Sequence, residues 1–487
     1  MKKKSIYKTP FRLLIIAMIL VYAGYGCKKL VEVSPPVNSL NSGNVYSANG
    51  TAIAVFNGVY ASLMNRSIVL NGSVLPGLSA DELSIYSTTL TTIPNIAYYT
   101  NALTNNNDGL NDFWTYYYTQ LFTINSAIEG LTGSTSLTPA VKQQLLGEAY
   151  FLRAYFYFYL VNYYGPVPLA LSSDYKVNQS LSRSPVIQVY TQVVTDLKNA
   201  QNLLSNQYLD ATLLHTATDR ARPTKWAATA LLARTYLYAA AVDNANAAND
   251  YANAASQAST LISNSNFSLS PLQNVFLQAS SGNKETIWEM QPVITGQNTP
   301  DAWLFIIPST GFSSTHDFYI NPQLIGSFEP GDQRTTNWLN SYTLSGKIYY
   351  YPYKYKSATL NASVTEYDVI FRLAEQYLIR AEAEANGAPG NAVTDLNAVR
   401  NRAGLPNYAG ATDKASLQTA ILHERQVEFF TEQGQRWLDL KRTQTVNTVM
   451  SIVAPQKGGS WQSYQQFYPV PVTELQADPN LIQNSGY

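Results

Sequence analysis

Glu424 and Glu428 are the residues whose type and spacing come closest to enzyme chemistry in this chain. Four apart on a helix, two carboxylates share one face. Leu417 and Ile421 lie on that face too, so both carboxylates are expected to point inward. A buried pair of this kind can serve a glycoside hydrolase as acid and base. It can equally be the anionic half of a structural network, because a buried carboxylate needs a charged partner. Arg400 and Arg402 lie upstream, and Arg436 follows just after Gly434. Guanidinium neighbours lower a carboxylate's pKa and spoil a general acid, which favours the structural role. The remaining chemistry is sparse. His215, His316 and His423 are far apart and only one cysteine is present, so a zinc site is not expected. No G-x-S-x-G, G-x-x-x-x-G-K-[ST] or G-x-G-x-x-G occurs. His423-Glu424 lacks the second histidine of H-E-x-x-H. The run Asn105-Asn106-Asn107-Asp108-Gly109 up to Asp112 has the flavour of a calcium loop, with the wrong ligand spacing and no closing glutamate. Neither a metal nor a cofactor is expected.

The one cysteine, Cys27, says where the chain goes. Lys2, Lys3, Lys4, Lys8 and Arg12 precede residues 13–23, which are apolar apart from Tyr22, and Gly24-Tyr25-Gly26 leads to Cys27. A basic start, a short apolar run and small residues before a cut make a secretory signal. The apolar run is too short to span a bilayer, which needs about 20 residues. A cysteine at the cut suggests a bacterial lipoprotein, its sulfur carrying a diacylglycerol; the plain alternative is an ordinary signal peptide with a chance cysteine. A lone cysteine in an exported chain has no disulfide partner to account for it, which favours lipidation. Each buried CH₂ contributes roughly 0.8 kcal/mol, and more than one chain makes anchoring stable.

Composition narrows the partner. Lys+Arg and Asp+Glu are both 32, giving no net charge, so the basic surplus of a nucleic-acid protein is missing. Only 13% of residues are charged, against roughly 25% in ordinary soluble domains. Polarity comes instead from Asn, Gln, Ser, Thr and 36 tyrosines. A tyrosine ring covers the apolar face of a sugar while its hydroxyl makes hydrogen bonds; the bland reading is that most of these rings are core.

These groups must be positioned by helices. Thr138 as N-cap, Pro139 at the first helical position and Gly165-Pro166 as the stop delimit a helix over 139–164. Between Tyr150 and Leu160 it is apolar or aromatic nearly all round, so it should be covered on more than one side. Further helices are expected over 225–242, 247–263, 369–386, 391–402 and 414–431. Glu148-Ala149-Tyr150-Phe151-Leu152-Arg153-Ala154 and Glu375-Gln376-Tyr377-Leu378-Ile379-Arg380-Ala381 share the pattern E-x-Y-[FL]-[LI]-R-A, with Leu231-Leu232-Ala233-Arg234 a weaker copy. Small alanines at helical spacing allow close approach, as in tetratricopeptide hairpins, although the strict 34-residue period is absent. Residues 28–50 read as a tether, with Pro35-Pro36 and a run from Asn38 to Asn44 that has little to bury. Residues 71–112 and 265–365 read as irregular and too long for plain connections, so functional. Tyr349 to Lys356 alternates like a short strand. Loop aromatics are hard to bury together, so Tyr86, Tyr98 and Tyr99 in the first region, and Trp303, Phe312, Tyr319, Trp338 and Tyr342 in the second, are the expected ligand contacts.

Taken in order, several blocks make the chain resemble the SusD/RagB family of Bacteroidetes outer-membrane lipoproteins. They are Glu148 to Ala154 running on to Tyr164-Gly165-Pro166-Val167-Pro168-Leu169; Arg222-Pro223-Thr224-Lys225 with Ala230-Leu231-Leu232-Ala233-Arg234; Arg372-Leu373-Ala374-Glu375 with Arg380-Ala381-Glu382-Ala383; Asp395 to Leu405; Glu424 to Phe429 with Arg436-Trp437-Leu438-Asp439-Leu440; and Tyr468-Pro469-Val470-Pro471 through Asn480 to Gly486-Tyr487. Gln433 and Gln426 depart from the family pattern, the first where an acidic residue often precedes the glycine and the second where a second arginine is common.

The resemblance implies a mainly α fold of tetratricopeptide-like helical hairpins, an α-α superhelix packed against an irregular, loop-rich ligand-binding part with short strands. It implies a surface-exposed outer-membrane lipoprotein, lidding a SusC-like, TonB-dependent transporter and passing it a nutrient, most often an oligosaccharide or glycan, without chemistry. The expected division is a signal peptide over 1–26, a lipidated tether over 27–50 and a body over 51–487. The body has an N-terminal helical part to 264, an insertion over 265–365 and a C-terminal part from 366. An oligopeptide cargo, a hydrolase using Glu424 and Glu428, and a helical scaffold with protein partners alone are the alternatives. The family's sugar-contacting aromatics lie in variable loops, so the eight rings named above are an assignment of region.

Overall fold

A run of antiparallel helices carries the fold, each burying a face against the one before it. The computed structural model describes residues 44–65, 68–106 and 111–487. The Pro139–Tyr164 helix packs between Asn111–Gly133 and Val186–Leu203; Lys225–Ala240 packs against Val186–Leu203 and Ala247–Ile262. Ala247–Ile262 then meets Leu373–Ala385, which packs on Ala392–Arg402 and Lys414–Glu428. The helical layer therefore continues directly across the 265–365 insertion, as the mainly α expectation requires. Every residue from Phe151 to Val161 is buried, so the central helix is covered all round. Gly165 ends it at φ 74°, a backbone angle that suits glycine. Thr138 does not cap it with its side chain. Its Oγ1 accepts from Asn49 Nδ2 at 2.8 Å, clasping the start of the Asn49–Asn65 helix.

The repeated motif has a physical meaning. Its arginine forks onto an aspartate of the next helix: Arg153 to Asp196 at 2.8 and 2.7 Å, and Arg380 to Asp395 at 2.6 and 2.7 Å. Its glutamate takes an arginine from a third helix or loop: Arg222 donates to Glu148 at 2.8 Å, and Arg234, from the weaker copy, to Glu375 at 2.6 and 2.7 Å. Breaking a buried pair of this kind costs about 3–5 kcal/mol, so each motif locks one hairpin onto its neighbours.

Several elements differ from the sequence reading. The stretch 369–372 is strand, because β6 (Asp368–Arg372) pairs antiparallel with β2 (Thr286–Met290), and helix begins only at Leu373. The helix expected to reach 431 stops at Glu428, where Thr431, Gln433 and Gly434 take φ values of 54, 50 and 68°. A β-carbon at Gly434 would stand 2.8 Å from Pro76 Cβ and 2.9 Å from the Gly72 carbonyl, so glycine is required there. The region 71–112 is not irregular throughout: it holds the end of the Ile68–Ser79 helix, β1 (Leu83–Ile85) and the Ile93–Tyr99 helix. Strand β1 pairs with β3 (Phe318–Ile320), Leu83 opposite Ile320, which brings the two loop-rich regions together. β4 (Leu339–Leu344) and β5 (Lys347–Pro352) form a hairpin in which Tyr342 faces Tyr349.

Candidate ligand-binding site

The residue after strand β1, the loop before β3, β3 itself and the β4–β5 hairpin contribute aromatic rings to one cluster. Tyr86 stacks on Phe312 with ring centroids 3.9 Å apart and planes 2° apart. Tyr349 stands edge-on to Phe312 at 5.1 Å, to Tyr319 at 5.1 Å and to Tyr86 at 5.6 Å. Tyr342 closes the group at 5.9 Å from Phe312. All five rings remain half-buried. Strand pairing aligns Tyr342 with Tyr349, and the alternation of β5 puts Tyr349 on the same face as Tyr351, away from Ile348 and Tyr350.

Tyr319 also lines an open cleft of ≈ 610 Å³ with Tyr99, Ser84, Asn321, Gln323, Gln456 and Lys457. Asn321 Nδ2 donates to Ser84 Oγ at 3.1 Å, and Gln323 Nε2 to Gln456 Oε1 at 2.9 Å. Burial pushes the Tyr99 and Tyr319 phenols up in pKa, and the Ser84 hydroxyl offsets part of the effect. Lys457 Nζ donates to the carbonyls of Leu78, Ala80 and Ser79 at 2.7, 2.9 and 3.3 Å, capping the helix that ends at Ser79. Burial lowers its pKa to about 7. An aromatic wall beside carboxamides and hydroxyls can hold a sugar ring by its apolar face and its hydroxyl groups.

Of the eight expected contacts, Tyr86, Phe312, Tyr319 and Tyr342 share the cluster, and Tyr99 lies across the cleft. Trp303 stands apart, edge-on to His316 at 5.8 Å. Tyr98 and Trp338 are instead buried. Tyr98 is 1% exposed, edge-on to Tyr468 at 5.1 Å. Trp338 is 0% exposed, and its Nε1 donates to the Leu272 carbonyl at 2.9 Å. The insertion is long enough to build a second core, from Leu272, Phe276, Leu324, Trp338 and Tyr355, closed by Phe430 of the C-terminal part, so its aromatics need not stay on the surface. Tyr349 was expected only as a strand residue; its register opposite Tyr342 is what brings it to the cluster.

Glu424 and Glu428 are both 0% exposed. Arg334 Nη1 donates to Glu424 at 2.7 Å and to Glu428 at 2.9 Å. Arg372 Nη1 meets Glu428 at 2.5 Å, and Arg402 bonds the same oxygen. Arg400 reaches Glu424 at 3.5 Å, whereas Arg436 bonds Asp81 at 2.8 Å instead. Although burial opposes it, the Arg402, Arg372 and Arg334 charges hold the Glu428 carboxyl well below the usual range. Glu424 differs from expectation: burial outweighs its arginines and raises it. The pair is therefore the centre of a closed ion network. The calcium-loop run 105–112 lies partly outside the described residues; among the described residues no three His, Cys, Asp or Glu side chains converge as a metal site. Cys27 lies outside the described residues too.

Residues 75–237 match a family of starch-binding proteins associating with the outer membrane, and residues 277–487 match the SusD family. The chain belongs to the SusD/RagB family. Its members are binding proteins rather than enzymes. A SusD-like protein P2 of Formosa agariphila is 25% identical over 99% of both chains. The fold matches a SusD homologue from Bacteroides thetaiotaomicron with TM-score 0.77, at 20% identity over 92% of this chain and 98% of that one. It matches surface glycan-binding protein A from Bacteroides uniformis with TM-score 0.72, at 21% identity over 90% and 98%. No described helix is long and apolar enough to cross a membrane.

Proposed function

We propose that this SusD/RagB member binds a glycan at the cell surface and passes it unaltered to a SusC-like, TonB-dependent transporter. The carrying observation is the cluster of Tyr86, Phe312, Tyr319, Tyr342 and Tyr349 beside a cleft of carboxamides and hydroxyls. The relatives add support, since one solved structure of this fold is a surface glycan-binding protein. Lipid on Cys27 would hold the body at the outer membrane, with which the matched family associates. The reading has no place for hydrolysis, because Glu424 and Glu428 are enclosed by arginines. A glycan array followed by calorimetry tests it. Binding should be weakened by Phe312→Ala and Tyr319→Ala with the product chemically unchanged. Failure of every glycan to bind, or turnover of one, would defeat the proposal.

A further inference from the structure

The site's charge is one-sided although the chain's is not. Four segments border the aromatic cluster and the cleft: 83–106, 302–327, 339–353 and 456–466. Their only charged or histidine residues are Lys347, Lys457, His316 and Asp317. Asp317, the single carboxylate, is 1% exposed, and burial raises its pKa. Asp81 and Glu82, which lead into β1, are also buried, and Asp81 is held by Arg436. No carboxylate lines the cleft.

Lys347 is the exposed cation of the group. Its Nζ stands 4.7 Å from the centroid of the Tyr349 ring, and its charge reaches the Tyr319 phenol. The turn before it places it firmly: Ser345 and Gly346 take φ values of 50 and 79°, and Lys347 pairs with Leu344. Two successive positive φ angles make the tight hairpin turn whose twist matches its strands. Lys457 is withheld from a ligand, because its Nζ is spent on three main-chain carbonyls and burial weakens its charge. His316 stands away from the cluster, its ring edge-on to Trp303.

We infer that the site prefers an acidic glycan, one whose sugars carry a carboxylate or a sulfate ester, over a neutral glycan of equal length. The inference rests on the glycan-binding reading above. A sugar lying on the cluster would bring an anionic substituent to Lys347 and meet no exposed carboxylate. An ion pair at a solvent-facing site is worth at most about fivefold in affinity, and salt weakens it over a Debye length of about 10 Å at 0.1 M.

The test is calorimetry on the purified full-length protein in detergent. The probes are oligogalacturonate, a sulfated galactan oligosaccharide and a neutral β-glucan oligosaccharide of matched length, each at 50 and 300 mM salt. At least one acidic probe should bind about fivefold more tightly than the neutral one at low salt, with the gap narrowing at high salt. Read as the ratio of acidic to neutral affinity, the preference should be erased by Lys347→Gln and reversed by Lys347→Glu; this hairpin-tip side chain is exposed, so folding is spared. Comparison of the two acidic probes separates carboxylate from sulfate recognition. Equal or tighter binding of the neutral probe, or a preference that survives Lys347→Glu, overturns the inference and leaves the glycan reading standing. Absence of binding to both acidic probes overturns the inference, and the glycan array alone decides the glycan reading.

Discussion

Glu428→Gln separates a structural carboxylate from a catalytic one. In the wild type its carboxylate accepts from Arg334 at 2.9 Å, from Arg372 at 2.5 Å and from Arg402. The amide is isosteric but neutral, and its NH₂ must face at least one of these guanidinium donors. Loss of one partner from a buried ion pair costs about 3–5 kcal/mol, and Arg334 and Arg372 are themselves buried. Unfolding free energy, measured in urea, should therefore fall by about 3–5 kcal/mol. The pH dependence follows from the same charges. Glu428 has a depressed folded-state pKa, so its stabilisation is complete above the unfolded value of about 4.3. It is lost as pH falls below that value towards the folded pKa. The variant should show a shallower loss of stability below pH ~4.3 than the wild type. A variant as stable as wild type at neutral pH, but lacking a glycan-cleaving activity that the wild type possesses, would refute the structural assignment.

Trp338→Ala should reduce stability by about 3–5 kcal/mol, the usual cost of emptying a buried tryptophan site, and leave the Leu272 carbonyl without its donor; an unchanged melting temperature would place the ring outside the core. Phe312→Ala should weaken glycan binding up to about tenfold, from the roughly 0.5–1.5 kcal/mol of an aromatic contact, with little change in melting temperature. Glu82 is 1% exposed, and burial, with Asp81 beside it, raises its pKa to about 8. Because the folded state holds this proton longer, Glu82 contributes a decline in stability as pH rises from ~4.3 to 8. Glu82→Gln should make the slope of stability against pH less negative in urea titrations across this range, and an unaltered slope would contradict it. Cys27→Ala should move the protein from membranes to the soluble fraction, whereas pelleting with membranes after a high-salt wash would rule out the lipid anchor.

Much of the helical layer was readable because its signals are local. Pro139 and Gly165 bracket one helix, and the all-round aromatic run inside it announces burial. The repeated glutamate and arginine of E-x-Y-[FL]-[LI]-R-A marked equivalent places, and the structure supplies their partners, Asp196, Asp395, Arg222 and Arg234. The Asn49–Asn65, Asn111–Gly133 and Val186–Leu203 helices carried no comparably sharp boundaries and were not anticipated. Strand 369–372 was hidden because a short apolar run suits either state, and pairing with β2 decides it.

The sequence alone carried the mainly helical class, the inward-facing Glu424 and Glu428 pair, and a family resemblance spread over ordered blocks. Each depends on residues near one another along the chain or on their order. The ligand site does not. Tyr86 and Phe312 stack at 3.9 Å although 226 positions separate them, because β1 happens to pair with β3. Trp338 and Tyr342, four residues apart, part company, one into a second core shared with Phe430 and the other onto the open cluster. Which ring a loop buries depends on what distant segment packs against it, and that is settled only when the chain has folded.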